Sequence, residues 1–492
     1  MWGISMIKKD IVDIQDGNLL KIQNKIIQKN FPFKIGRSIL TELNKIINKK
    51  VNKVVIEHPY YDADYLSIYY CFYSKKHQHY PKDCVRVHFY YISSSSNIKN
   101  QYYGYITIRP TGESMTIGKS YLSPNLFLED GDSVMTGRFK THCFGEEFFV
   151  YAFPWMQQES DVVVCAHVAI WSVLRYFGQK YPNYHNVTMG DVVEKLPGSL
   201  GRKIPTASVS IQHIPDIFKT MGFSPKVISK AIIGENAFQR EMMAYIESGI
   251  PLIGCMTEKN HAVSIIGYRS NSKEKIRHLV STNFDNSVDK NERILYNNIV
   301  VNKIIINDDN HVPYRTIRKR SDFNPFDREE TYSETERFVE DIDFLIVPLY
   351  DRMQYNYSSL HEAVKTYVDK VDFLDKEKKY IARAYITSGN SLKEHAVSNI
   401  ECLSLREIIV GLSMPRFVWC VELSTIDEFE TEKVSAKMVI DTTRCNHDLE
   451  PWILLHNQSF IKYYDDGCWK KVNCHIEPYN KFYNLGVVNH NE

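Results

Sequence analysis

At 492 residues the chain is too long for one ordinary core, and at roughly 100–200 residues per domain it should divide into about three. With 43% apolar and 24% charged residues it reads as globular rather than disordered, and 60 Lys+Arg against 59 Asp+Glu leave no net field to hold a polyanion. Nucleic acid is therefore not an expected partner, although Arg315, Arg318, Lys319 and Arg320 form a local basic patch. The ten cysteines lack paired spacings, which points to a reducing compartment. Neither a signal-peptide core near Met1 nor an apolar run of ~18–20 residues is visible, so the expectation is a cytoplasmic protein without a membrane partner. Heavy use of Lys, Asn, Ile and Tyr is the pattern of an AT-rich bacterial genome.

Residues 1–140 read as an N-terminal α+β domain. A strand is predicted at 53–57, a helix at 63–73 and a half-buried strand at 85–91; a loop follows at Ser93 to Ser96, and then a strand over 104–110 that Pro110 stops. Residues 148–153 lead as a strand into the central domain, 141–350. Its first helix, 164–177, carries Val168, Ile170, Trp171, Val173, Leu174 and Phe177 almost around the axis, the signature of a buried helix. Helices at 214–221 and 237–248 follow, the second ended by Gly249, and then strands at 251–255, 262–268 and 303–307. The polar stretch 269–298 is too long for a hairpin loop and reads as an insertion or a lid over a cleft. A C-terminal α+β domain, 351–492, should hold helices at 360–371 and 404–412 and strands at 416–422 and 436–440. The fold class is thus α+β throughout.

One segment suggests chemistry. In Pro154-Trp155-Met156-Gln157-Gln158-Glu159-Ser160-Asp161-Val162-Val163-Val164-Cys165-Ala166-His167 a cysteine stands where a loop turns into the buried helix. Free N–H groups and the dipole at a helix start favour the thiolate, the nucleophilic form. Gln158, or its neighbour Gln157, could offer a side-chain NH₂ to a developing oxyanion beside the backbone N–H of Cys165. His261 opens the strand His261-Ala262-Val263-Ser264-Ile265-Ile266 and could serve as base, with an Asx side chain on the next strand fixing its tautomer. Asp308 fits that place because it ends an apolar strand; Asp285 and Asp309 are the alternatives. His167 points about 200° around the helix from Cys165 and reads as a packing or surface residue. Cys255 reads as core. The Cys445/His447 and Cys468/Cys474/His475 groups lack the paired spacing of zinc sites, and no Walker or dinucleotide glycine motif is present, so no metal or cofactor is expected.

The order Gln158, Cys165, His261, Asp308, with a helix after the cysteine and the pair Pro251-Leu252-Ile253 and His261-Ala262-Val263-Ser264-Ile265-Ile266-Gly267-Tyr268, resembles papain-like cysteine peptidases, especially the bacterial double-glycine leader peptidases. It covers about residues 155–314. The glutamine lies one residue further from the cysteine than is usual, the His-to-Asp interval is stretched, and no exporter membrane domain follows. The resemblance implies a papain-like central domain that cleaves a peptide or isopeptide through a Cys165 thioester. His261 would be the base, Asp308 the orienting acid and Gln158 the oxyanion donor, and the flanks would select substrate or protein partner. Two rivals stand beside it: capture of the same thioester by an amine, as in an acyltransferase or transglutaminase-like enzyme, and a catalytically silent interaction module or defence effector that kept the fold.

Overall fold

The structure, a computed structural model, describes residues 8–13, 34–35, 42–43, 45–47, 49–92, 101–111, 114–159, 161–195, 209, 211–285, 293–320, 337–370, 373–448 and 450–490. The expected loop at Ser93 to Ser96 lies outside these residues. The chain is α+β, as its periodicities predict.

Near the N-terminus, β1 (Lys53–Tyr60), β2 (Cys84–Tyr91), β3 (Gln101–Arg109) and β4 (Ser114–Ile117) pair antiparallel in that order. Between β1 and β2 runs α1 (Ala63–Cys71), begun by Asp62, whose carboxylate accepts the Tyr65 N–H at 3.0 Å. Asp64 of α1 is buried and acts as a clamp. It accepts from Trp171 Nε1 at 2.8 Å, Arg175 Nη2 at 3.1 Å and the Met189 N–H at 3.1 Å. Two of these donors belong to α2 (Cys165–Lys180), so the N-terminal region fixes the helix that starts at Cys165.

A second sheet holds the strands on either side of the site. After β5 (Ser133–Val134) and α2 come β6 (Ser224–Ser229), α3 (Glu235–Glu247), β7 (Leu252–Met256), β8 (His261–Ser270), α4 (Lys273–Asp285), β9 (Ile294–Tyr296), β10 (Val301–Asn307), β11 (Arg315–Arg318) and β12 (Phe344–Leu349). The spatial order is β6-β12-β7-β8-β10-β11, antiparallel at every pairing. β5 also joins β8, and a Cβ on Gly267 would lie 2.3 Å from Ser133 O, so only glycine admits this contact. α2 packs its apolar girth on this sheet, with Ser264 Oγ donating to Ala169 O at 3.3 Å.

The described residues of the stretch 269–298, 269–285 and 293–298, do not form a lid. Ile276, Val280 and Phe284 of α4 form one buried stripe with Ile381 of the C-terminal region, Arg277 pairs with Asp427 and Glu430, and β9 adds in parallel to β13 (Tyr380–Ser388). It sits at the far end of β8, whose ten residues, at ~3.3 Å rise each, put Ser270 about 30 Å from His261.

In the C-terminal region β13 is followed by β14 (Phe417–Ser424), β15 (Ala436–Asp441) and β16 (Trp452–His456), all antiparallel neighbours. Arg383, Glu422, Lys437 and His456 stand opposite one another across these four strands and are all buried. Burial of so much charge is tolerated because it is paired. Arg383 donates to Glu422 at 2.5 Å and, across the layers, to Glu247 at the end of α3 at 2.8 Å; Lys437 lies 3.0 Å from Glu422. Glu247 also accepts from Tyr268 of β8 at 2.8 Å and from Asn297 at 2.9 Å. One apolar core, running from Tyr65 through α2 and β8 to Val488, accompanies this bridge. Among the described residues no helix is long and apolar enough to cross a membrane.

Removing a partner from a buried ion pair costs far more than removing a surface charge. Arg383→Met, which removes the guanidinium that Glu247 and Glu422 share, should lose about 3–5 kcal/mol in urea unfolding. Arg277→Ala, at an exposed pair, should leave the midpoint near that of the parent chain.

Candidate functional site

Cys165 is the first residue of α2 and is half-buried. Its N-cap, Val164, has no side-chain oxygen; instead His167 turns back and its Nδ1 accepts the Val164 N–H at 3.2 Å. His167 is thus buried and serves the helix start, consistent with a packing role. Around the Cys165 thiol lie the backbone N–H groups of Ala166 and Ala262, the second being the residue after His261. These pull the thiol down, but desolvation first, and then the charges of Asp309 and Asp308, push it up to about 11. The expected thiolate-favouring effect of the helix start is therefore outweighed, and the resting group is a thiol. Cys255, on β7, is buried and its thiol is pushed up to about 12, chiefly by desolvation.

His261 opens β8 after a four-residue turn in which Asn260 takes a left-handed conformation, φ 46°, a placement asparagine tolerates. Its Nε2 donates to Asp308 Oδ1 at 2.9 Å. That bond fixes the neutral ring as the Nε2–H form and leaves the Nδ1 lone pair free to take a proton. Asp308 follows the last residue of β10 and is fully buried. Oδ1 accepts a second N–H, that of Asn310, at 3.0 Å, and Oδ2 accepts Arg337 Nε at 2.7 Å. Burial alone would raise this carboxyl, but the His261 hydrogen bond and charge, with Arg337, hold it well below the usual range.

Asp309, the next residue, is the opposite case. It is buried, both carboxylate oxygens lack a hydrogen-bond donor, and Oδ1 stands 3.6 Å from His261 Nε2. Desolvation and the neighbouring Asp308 charge push it well above the carboxylate range. Asp285 is not brought here: it closes α4, which lies against the C-terminal sheet at the other end of β8. The two glutamines diverge. Gln157 is committed to the N-terminal sheet, its side-chain oxygen accepting the Ile117 N–H at 3.3 Å and its backbone oxygen accepting Arg109 Nη2 at 2.8 Å. Gln158 turns towards the acid loop and donates Nε2 to Asn310 Oδ1 at 2.7 Å. Two further contacts zip the loops together: Trp155 Nε1 donates to Asp308 O at 3.2 Å, and Asn307 Nδ2 to Pro154 O at 3.3 Å.

Among the described residues, His261, Asp308 and Asp309 are also the one cluster with ligand atoms close enough for a metal, within 4.8 Å of one another. The donor set argues against a cation, because both Asp308 oxygens are already occupied by N–H groups and one of them is a guanidinium. Arg337 had no signal in the sequence: it lies 29 positions beyond Asp308 and in no motif. No family model matches the chain, and no curated protein or solved structure is significantly similar to it.

Asp309 gives a stability test with a defined sign. The folded chain keeps a proton there that the unfolded chain releases above about pH 4, so this stability is complete below that pH and is lost as pH rises towards the folded value. Asp309→Asn lacks the titration. Its stability relative to the parent should grow from pH 4 to 8 in urea unfolding, and a pH-independent difference would contradict the assignment.

Proposed function

We propose that the chain is a papain-like cysteine hydrolase that cleaves a peptide or related amide through a thioester on Cys165. The observation that carries this reading is the 2.9 Å bond from His261 Nε2 to Asp308, made beside a cysteine at the start of a buried helix. An acid, an imidazole held in one tautomer and a thiol are the parts of a general-base nucleophilic site. Packing of α2 on the antiparallel β7-β8-β10 strands, with Gln158 upstream and turned to the acid loop, supports the papain-like character.

In this mechanism the thiol, pushed up to about 11, is not pre-ionised. His261 Nδ1 takes the Sγ proton as sulfur attacks the carbonyl, and Asp308 stabilises the imidazolium that forms. The oxyanion meets the Gln158 NH₂, released from Asn310, and the Cys165 N–H. Collapse breaks the C–N bond, and the leaving amine takes the proton from His261. Water, activated by the same imidazole, then hydrolyses the thioester and regenerates the thiol. Nothing in the geometry selects an amine over water as the second nucleophile.

The test is turnover of a mixed peptide library, read as new N-termini by mass spectrometry. Cys165→Ala should abolish cleavage and His261→Ala should reduce it by about 10²–10⁴-fold. Added cadaverine should leave the products as free acids; amide products would instead move the assignment to acyl transfer. Undiminished cleavage by Cys165→Ala would overturn the reading.

A further inference from the structure

Two adjacent carboxyls, Asp308 and Asp309, lie within reach of the same imidazole nitrogen, at 2.9 and 3.6 Å. Distance alone separates them weakly, since a turn of the His261 ring or of either carboxyl could exchange them. Both are buried in the same surroundings, and the Asp308 charge opposes ionisation of Asp309. Asp308 accepts the Asn310 N–H at 3.0 Å, and it is also the one that bonds a cation. Arg337 Nε donates to Asp308 Oδ2 at 2.7 Å with only 11% of its side chain exposed, and no ion pair of Arg337 with Asp309 accompanies it among the described residues.

The arginine does not sit there by chance of a long side chain. Its neighbour Phe338 is buried, bridges to Arg318 of β11, and donates its N–H to Asp341 Oδ2 at 2.8 Å. The backbone at Arg337 is therefore held beside the acid loop, and a charge-assisted bond at this length fixes the carboxylate plane. With Oδ2 taken by the guanidinium, Oδ1 is left to face the ring. Asp309 receives no such donor, and its oxygens stay unpartnered.

Resting on the proposed Cys165–His261 chemistry, we infer that Arg337 is a positioning residue that makes Asp308, rather than Asp309, the carboxylate serving His261. It touches neither substrate nor the reacting atoms; it acts through the acid. In its absence only the Asn310 N–H still sets Asp308 apart, His261 can be served by either carboxylate, and the preference for Asp308 narrows.

A double-mutant cycle tests this with the alkylation rate of Cys165 by iodoacetamide at pH 7, read by peptide mass spectrometry, so no substrate need be known. In the parent chain Asp308→Asn should slow alkylation by about tenfold more than Asp309→Asn does. In the Arg337→Met background the two effects should converge to within about twofold, and Asp309→Asn should become the more harmful than before. Arg337→Lys, which keeps the cation, should restore the parent order. An arginine that merely supports the fold would lower all rates together without changing that order. Melting curves are recorded for every variant, and Arg337→Gln repeats the cycle where Arg337→Met does not fold. An unchanged order in the Arg337 variants overturns the inference alone. A Cys165 rate indifferent to His261→Ala would instead overturn the underlying proposal.

Discussion

The antiparallel pairing of β8 with β10 is the constraint on which the site depends. Ser264 faces Asn307 and Ile265 faces Ile306, and this register carries His261 and Asp308 to the same end of the sheet, one at the start of its strand and one just past the end of the other. A slip of one residue would turn every side chain of β8 to the opposite face and separate ring from carboxylate. The register is therefore secured several times over. β7 pairs with the first half of β8, β5 presses on it at Gly267, and α2 covers it, so the position of His261 is a property of the whole central sheet.

Buried charge recurs as the way distant parts of the chain are joined. Asp64 gathers Trp171, Arg175 and Met189 and so holds α2 against the N-terminal region. The cross-strand row from Arg383 to His456, with Glu247, ties the C-terminal sheet to α3 and β8. At the site the same economy has one gap, Asp309, whose oxygens have no donor. That gap and the desolvated thiol belong together: burial disfavours the charged form of both, so Asp309 and Cys165 each hold a proton, and Cys165 gives its own up only to His261.

Much of this was legible in local pattern. The girdle of apolar residues from Val168 to Phe177 forms the buried helix expected, now Cys165–Lys180, and His261 and Asp308 stand at the strand ends where alternation and run length put them. What was not legible is non-local. The choice between Gln157 and Gln158 turns on Ile117, 40 positions earlier, which takes the Gln157 side chain into its own sheet. The preference between Asp308 and Asp309 involves Arg337, for which no spacing rule exists. The stretch 269–298 is a different failure, since Ile276, Val280 and Phe284 repeat at helical spacing and were outvoted by the polar residues between them. Their stripe is narrow, and only packing against Ile381 gives it a purpose.

Activation of Cys165 by His261 is the central claim, and the competition among the ten cysteines for limiting iodoacetamide addresses it most directly. Because His261 takes the proton as sulfur attacks, Cys165 in the folded parent chain should take the label first, ahead of the exposed Cys445 and Cys468, and His261→Ala should remove that priority. Labelling that follows exposure alone, with Cys445 and Cys468 first in the parent chain and in His261→Ala alike, would contradict it.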